Sequence, residues 1–291
     1  MLDFIVNPKA GTIKGKKLKK TLKKLEEHLC EKNIAYTIHK TNHKGHATTL
    51  TKNLIEHGAT DIIAIGGDGT LHEIINGFHS FDKANLGLIP CGTGNDFARS
   101  CKLPRNPVDA LDVILNGQPK FTDYMQLPTV RGMNVVGTGL DVDVLIRYEK
   151  LKRKTKFGYY WCLIKTLFGF KGVTFDAEVD GEKSSHDSFI AGVANGKCFG
   201  GGIQICPDAD IEDGKLNFVS VKFVKGLKIV GLLLKLNSGK ILQDPRTTTC
   251  ACDEVKISNM EKITVNVDGE LYPDIPFEVK VVHNQLKMYR P

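Results

Sequence analysis

Two glycine turns with acidic neighbours are the places where this chain could do chemistry. In IAIGGDGTLHEIINGF (residues 63–78) an apolar strand runs into Gly66, Gly67 and Gly69, with Asp68 among them, before a helix begins. Glycines let main-chain N–H groups converge on an anion, and a helix N-terminus adds its dipole. The pattern therefore fits a phosphate cradle in which Asp68 could hold a phosphate-bound Mg²⁺. A tight strand-to-helix turn without chemistry has the same spacing. The lysine of a Walker A loop is absent. About one strand and one helix later, PCGTGNDFAR (residues 90–99) forms a second glycine turn that should emerge at the same sheet edge. There Thr93 and Asn95 offer side-chain donors and Asp96 a second carboxylate, and the final glycine of a dinucleotide fingerprint is missing. His43, His46 and His72 form no i, i+4 pair at metal spacing, which favours surface or hydrogen-bonded roles.

The elements that must position these turns alternate. LDFIVN, IAYTIHKT, DIIAIGG and NLGLIP have the character of strands. Between them lie a lysine-rich helix from about Lys14 to Lys32 with Leu18, Leu22, Leu25 and Leu29 at helical spacing, then HATTLTKNLIEHG, then TLHEIINGF. Four apolar strands separated by helices indicate a parallel sheet covered on both faces, whose ligands bind at the carboxyl ends of the strands. From Met125 onward the pattern changes to seven strand-like runs, among them VTFDAEVDGE, SFIAGVANG, KLNFVSVKFV and KITVNVDGE, interrupted by helical segments around 145–169 and 225–239. This reads as a β-sandwich-like second domain. The expected division is 1–124 and 125–291, with a C-terminal segment that can return to the first domain.

Length and composition agree with two domains of an ordinary globular protein: 291 residues, 41% hydrophobic and 25% charged. The net charge of +7 is concentrated in two runs, seven lysines between positions 14 and 24 and six basic residues from Arg147 to Lys156. Either run could face anionic lipid, nucleic acid or water. Eight cysteines without a secretory signal suggest reduced thiols, and the C-x-C of Cys250 and Cys252 has no second pair at zinc spacing. FGYYWCLIKTLFGF is too short to span a bilayer, so membrane contact is expected to be peripheral.

FIVNPKAG, GGDGTLHEIINGF, IPCGTGNDFAR, VANGKCFGGGIQICPDADIEDGKL and VDGE, in that order and spread over nearly the whole chain, resemble the catalytic-domain family of diacylglycerol and sphingosine kinases. The bacterial soluble diacylglycerol kinases and YegS-like lipid kinases are the nearest in length and layout. The resemblance implies an α/β nucleotide-binding domain of NAD kinase and phosphofructokinase type, a β-sandwich domain, and an active site in the cleft between them. It implies transfer of the γ-phosphoryl group of ATP, with Mg²⁺, to a lipid hydroxyl, diacylglycerol first among the acceptors. Carried over residue by residue, it assigns ATP contacts to Asn7, Thr41, Gly66, Gly67, Asp68, Gly69, Thr70, Leu71, His72, Gly92, Thr93 and Asn95. His72 stands where the family often has asparagine.

The same resemblance assigns the base to Glu270, a partner acid to Asp123 and the Mg²⁺-linked carboxylate to Asp68. A lipid hydroxyl is a poor nucleophile and needs a carboxylate to receive its proton. A further Mg²⁺ site is implied at the side chain of Asp213 and the carbonyls of Asp210 and Lys215, oxygen ligands that suit a hard cation. On spacing alone, Glu270 is a hairpin residue, Asp123 a cap or solvated acid, and DADIED a solvated turn. A basic run followed by an aromatic-rich segment suits docking on an anionic membrane, and a packed core helix would show the same residues. The expected setting is cytoplasmic, at the inner face of the membrane, without nucleic acid and with a homodimer as a plausible assembly. A kinase of a soluble dinucleotide such as NAD is the rival enzyme, and a non-enzymatic binder of anionic lipid or nucleic acid the rival from another class.

Overall fold

A computed structural model describes residues 1–9, 15–151, 155–167, 169–225, 228–260 and 264–291. Lys14, Lys152, Arg153 and Lys154 of the two basic runs lie outside the described residues, as does the start of KITVNVDGE. The chain divides into one unit of Met1–Thr122 with His283–Pro291 and another of Asp123–Val282.

The first unit alternates strand and helix: β1 (Leu2–Val6), α1 (Lys16–Glu31), β2 (Tyr36–Lys40), α2 (His46–Glu56), β3 (Asp61–Gly66), α3 (Asp68–Ile75), β4 (Asn85–Pro90), α4 (Asp96–Ser100) and α5 (Pro107–Asn116). The strands are parallel in the order β2-β1-β3-β4. β1, β3 and β4 are almost wholly buried and apolar, as strands covered on both faces must be. In α1 the leucines at 18, 22, 25 and 29 face the core, and the lysines from Lys16 to Lys24 are exposed to water. Pro107 at the first turn and the Asn106 side chain, which accepts from the Val108 amide at 3.1 Å, start α5.

The second unit holds β5 (Pro119–Gln126, beginning in the first unit), β6 (Arg131–Gly132), β7 (Val135–Gly139), α6 (Leu140–Glu149), α7 (Lys156–Leu167), β8 (Val173–Val179), β9 (Glu182–Ala194), β10 (Leu216–Lys222), α8 (Lys228–Asn237), β11 (Thr247–Cys252), β12 (Glu254–Ser258), β13 (Thr264–Val267), β14 (Glu270–Pro273) and β15 (Phe277–Tyr289). β15 continues past Val282 into the first unit, where Met288 lies beside Leu86 of β4. The first half of β9 pairs with β8 and its second half with β7 and β10, so one 13-residue strand serves both layers of an antiparallel sandwich. The helical segment expected around 145–169 is two helices and begins earlier, at Leu140. Gly139 turns there with φ 100, and Asp141 and Asp143 occupy the first turn, where carboxylates suit the helix dipole. No described helix is long and apolar enough to cross a membrane.

Candidate active site

In the first unit β1 to β4 all end at one edge, and main-chain bonds tie those ends together. Thr41 N donates to Val6 O at 2.9 Å, Asn7 N to Ile65 O at 3.4 Å and Cys91 N to Gly66 O at 2.7 Å. Asn7, Thr41, the 66–72 turn and the 92–95 turn therefore share that edge. The two glycine turns touch backbone to backbone: a Cβ on Gly92 would lie 2.4 Å from Gly67 Cα, and one on Gly67 would lie 2.8 Å from Gly92 Cα. Only glycine permits this approach.

Side chains then fix the pair. Asp68 Oδ1 accepts from the amides of Asp96 at 2.9 Å and Phe97 at 3.3 Å, so the first turn holds the N-terminus of α4. Asn95, at φ 54, closes its own turn by accepting from Gly92 N at 2.8 Å and donating to Gly92 O at 3.1 Å. Asp96 is buried and pairs with Arg99 at 3.7 Å. Thr70, Leu71 and His72 are buried within α3, and the Thr70 and Leu71 amides donate to Gly67 O at 3.0 and 3.1 Å. Burial pushes the Cys91 thiol up to about 11, so it stays protonated at neutral pH.

In the second unit Glu270 opens β14 directly after a two-residue turn, Asp268 and Gly269, with φ 54 and 93. The Asp268 carboxylate accepts from Met133, Asn134 and Val135 N at 2.6, 2.8 and 3.0 Å. Asp123 is fully buried in β5, and its Oδ2 accepts from Gly214 N at 2.8 Å. Asp123 therefore meets the 208–215 turn implied for a metal. In that turn Asp210 Oδ1 accepts from Glu212 N at 3.1 Å, Asp213 Oδ1 accepts from Lys215 N at 2.9 Å, and the Lys215 ammonium pairs with Asp253 at 2.8 Å. The turn supplies only oxygen donors at the implied ligands, the Asp213 carboxylate and main-chain carbonyls, which is the donor chemistry a hard cation takes. Among the described residues no three acidic, histidine or cysteine side chains converge.

Two features of the second unit carry no sequence expectation. A cavity of about 480 Å³ lies among α6, α7, α8 and β9, walled by apolar residues such as Leu163, Phe189, Ile203 and Leu236. Asp141 at its wall is a buried carboxyl whose Oδ2 accepts from Asn266 Nδ2 at 2.9 Å, and burial pushes it up to about 6.

Residues 2–127 match the family model of the diacylglycerol kinase catalytic domain, and 134–290 match that of the YegS C-terminal NAD kinase beta sandwich-like domain. The chain belongs to the diacylglycerol kinase and YegS-like lipid kinase family. It is 28% identical over 294 residues to a diacylglycerol kinase of Bacillus subtilis (strain 168), covering 99% of this chain and 95% of that protein. It is 29% identical over 296 residues to a diacylglycerol kinase of Staphylococcus carnosus (strain TM300), covering 99% and 94%. The crystal structure of a diacylglycerol kinase from Bacillus anthracis str. Sterne superimposes with a TM-score of 0.80 over 100% of this chain and 96% of that one, at 24% identity, and shows the fold. The α/β and β-sandwich architecture expected from the sequence is thereby established, and the chain is a kinase.

Sequence reasoning passed over Asp268, Asn195 and Asp141 in this kinase. The first two stand inside motifs already noted, VDGE and VANG, and Asp141 opens a helix whose start was missed.

Proposed function

We propose that this lipid kinase transfers the γ-phosphoryl group of ATP to a hydroxyl of diacylglycerol, giving phosphatidic acid and ADP. The observation that favours a lipid over a soluble dinucleotide is the apolar cavity of about 480 Å³ in the second unit, a volume and lining suited to an acyl chain. On the nucleotide side, the glycine turns at 66–69 and 93–94 offer main-chain N–H groups to the phosphates, with Asn7, Thr41 and the Thr93 hydroxyl beside them. Mg²⁺, held through Asp68, would neutralise charge on the phosphoryl oxygens when bound. Asp213, with the carbonyls of Asp210 and Lys215, would hold a second cation that steadies the turn against Asp123.

Glu270 receives the proton as the acceptor oxygen forms its bond to the γ-phosphorus and the bond to the bridging oxygen of ADP breaks. Asp123 supports that exchange. The acceptor comes from a membrane, and the outer faces of α7 and α8 suit contact with one. Phe157 is 81% exposed, Trp161 49% and Leu234 66%, with the Lys165 ammonium 4.9 Å from the Trp161 ring centre. Binding to anionic vesicles that weakens with salt and is lost in Trp161→Ala supports this contact, and salt-insensitive binding speaks against it.

The test is a phosphoryl-transfer assay with labelled ATP, Mg²⁺ and a panel of lipids in mixed micelles, on wild type, Glu270→Ala and Asp68→Ala. The expected result is transfer to diacylglycerol, lost in both folded variants. No transfer to any lipid, with phosphorylation of NAD instead, overturns the reading.

A further inference from the structure

We infer that Asp268 and Asn195 are positioning residues that tie the Glu270 turn and the Asp123 strand into one hydrogen-bonded frame, half-buried at Asp268 and fully buried at Asn195 and Asp123. The inference rests on the reading of Glu270 as the base. A general base must sit within hydrogen-bond reach of the hydroxyl, and about 1 Å of misplacement costs on the order of 100-fold in rate. Something must therefore hold the turn from which Glu270 emerges.

A two-residue turn of this kind does not need four long-range bonds to form. Asp268 nevertheless donates its own N–H to Val135 O at 3.0 Å, while its carboxylate takes the three successive amides of residues 133–135. Three N–H groups on one carboxylate are charge-assisted and strong. The 133–135 segment passes the constraint on. Asn195 N and Gly196 N donate to Asn134 O at 2.9 and 2.8 Å, and Asn195 Nδ2 donates to Met133 O at 2.6 Å. Nδ2 also donates to Asp123 O at 2.8 Å. Asn195 has no exposed surface, so both of its amide hydrogens are committed to joining the 133–135 segment to Asp123. Glu270 and Asp123, assigned to base and partner acid, thus sit at the two ends of a single chain of bonds.

The molecule contains its own control. Asp180 and Gly181 form the same kind of turn, with φ 48 and 87, between β8 and β9. The Asp180 carboxylate accepts from Asp253 N at 2.9 Å and Glu254 N at 2.8 Å. That turn carries no residue assigned to the reaction.

The experiment compares Asp268→Asn, Asp180→Asn, Glu270→Gln and the Asp268→Asn/Glu270→Gln pair, reading kcat, both KM values and thermal midpoints. Asp268→Asn is expected to lower kcat by about 30-fold or more, with the KM values for ATP and diacylglycerol within about two-fold. Asp180→Asn is expected to lose comparable thermal stability with kcat within about two-fold. In the pair, Asp268→Asn should reduce the residual rate of Glu270→Gln by less than about three-fold, because it acts through that side chain. A folded Asp268→Asn with wild-type kcat, or losses that multiply in the pair, overturns the inference. Wild-type kcat in Glu270→Gln removes the base reading itself, a distinct result. If Asp268→Asn does not fold, Asn266→Ser loosens the same turn, since Asn266 Oδ1 accepts from Gly269 N at 2.9 Å; because its Nδ2 also donates to Asp141 at 2.9 Å, the change is read against Asp141→Asn. Relative to that variant the same loss in kcat is expected of Asn266→Ser, and an unchanged kcat overturns the inference.

Discussion

The two units hold their site residues by opposite means. In the first, two turns meet main chain to main chain, Gly67 against Gly92, and side chains such as Asn95 and Asp68 lock what the glycines allow. In the second, backbone amides converge on side-chain carboxylates, three on half-buried Asp268 and one on buried Asp123, while buried Asn195 donates outward to two carbonyls. An anion-binding edge needs bare N–H groups and therefore small residues, whereas a proton-transfer group needs a fixed side chain and therefore a scaffold around it. The chemistry assigned to each unit follows the kind of contact that builds it.

The largest effect expected from breaking this contrast is at Gly92. In Gly92→Ala the new methyl would lie 2.4 Å from Gly67 Cα and 2.6 Å from Asn95 Oδ1, so the turns must part. The loss should be about 3 kcal/mol in urea unfolding. ATP affinity, read by fluorescence titration, should fall about 100-fold or more because the cradle opens. Wild-type affinity in a folded Gly92→Ala would show that contact between the turns does not shape the phosphate site.

Next in size is Asp68→Ala, which removes the acceptor for the Asp96 and Phe97 amides. Leaving donors at the start of a largely buried helix costs about 2 kcal/mol. Asp68→Asn, which keeps one oxygen, should recover most of that stability while activity stays low, because the charge that would hold Mg²⁺ is gone. Recovery of activity along with stability would reduce Asp68 to a cap.

The contrast between the units also explains what could be read in advance. The nucleotide side was legible because its geometry is local and restrictive: strands of apolar residues, each followed by a glycine turn, in parallel order. Asn95 bonding back to Gly92 spans three positions. The frame of the second unit was not legible, since Asp268 and its partner amides are more than 130 residues apart and the dipeptide Asp-Gly signals a hairpin wherever it occurs. Asp180-Gly181 and Asp268-Gly269 look alike in sequence and differ in what their carboxylates grip and in exposure, Asp180 being exposed and Asp268 half-buried. The start of the helix at Leu140 was missed for a related reason. GTGLDVD has too few residues before the basic run to show a helical period, and the glycine that starts it is informative only with its φ of 100 in hand.

The smallest effect sharpens the comparison from the side of the second unit. Asp141 is buried with Asn266 Nδ2 as a donor, and its pKa is raised from 3.8 to about 6, with burial the first cause, opposed by that hydrogen bond. A carboxyl raised on folding contributes stability that is fully present below the unfolded pKa and is lost as pH rises through the folded one. The window is therefore about pH 4 to 6. Between pH 5 and 7 this one group should cost the wild type about 1.4 kcal/mol that Asp141→Asn does not lose, since the amide keeps an oxygen for Asn266 and never ionises. Urea midpoints of both proteins at pH 5 and pH 7 measure that difference directly. A difference that does not change with pH would mean that water or a neighbouring cation reaches the carboxyl. The wall of the apolar cavity would then be wetter than its lining implies, and the second unit would hold its acids by solvation rather than by a dry scaffold.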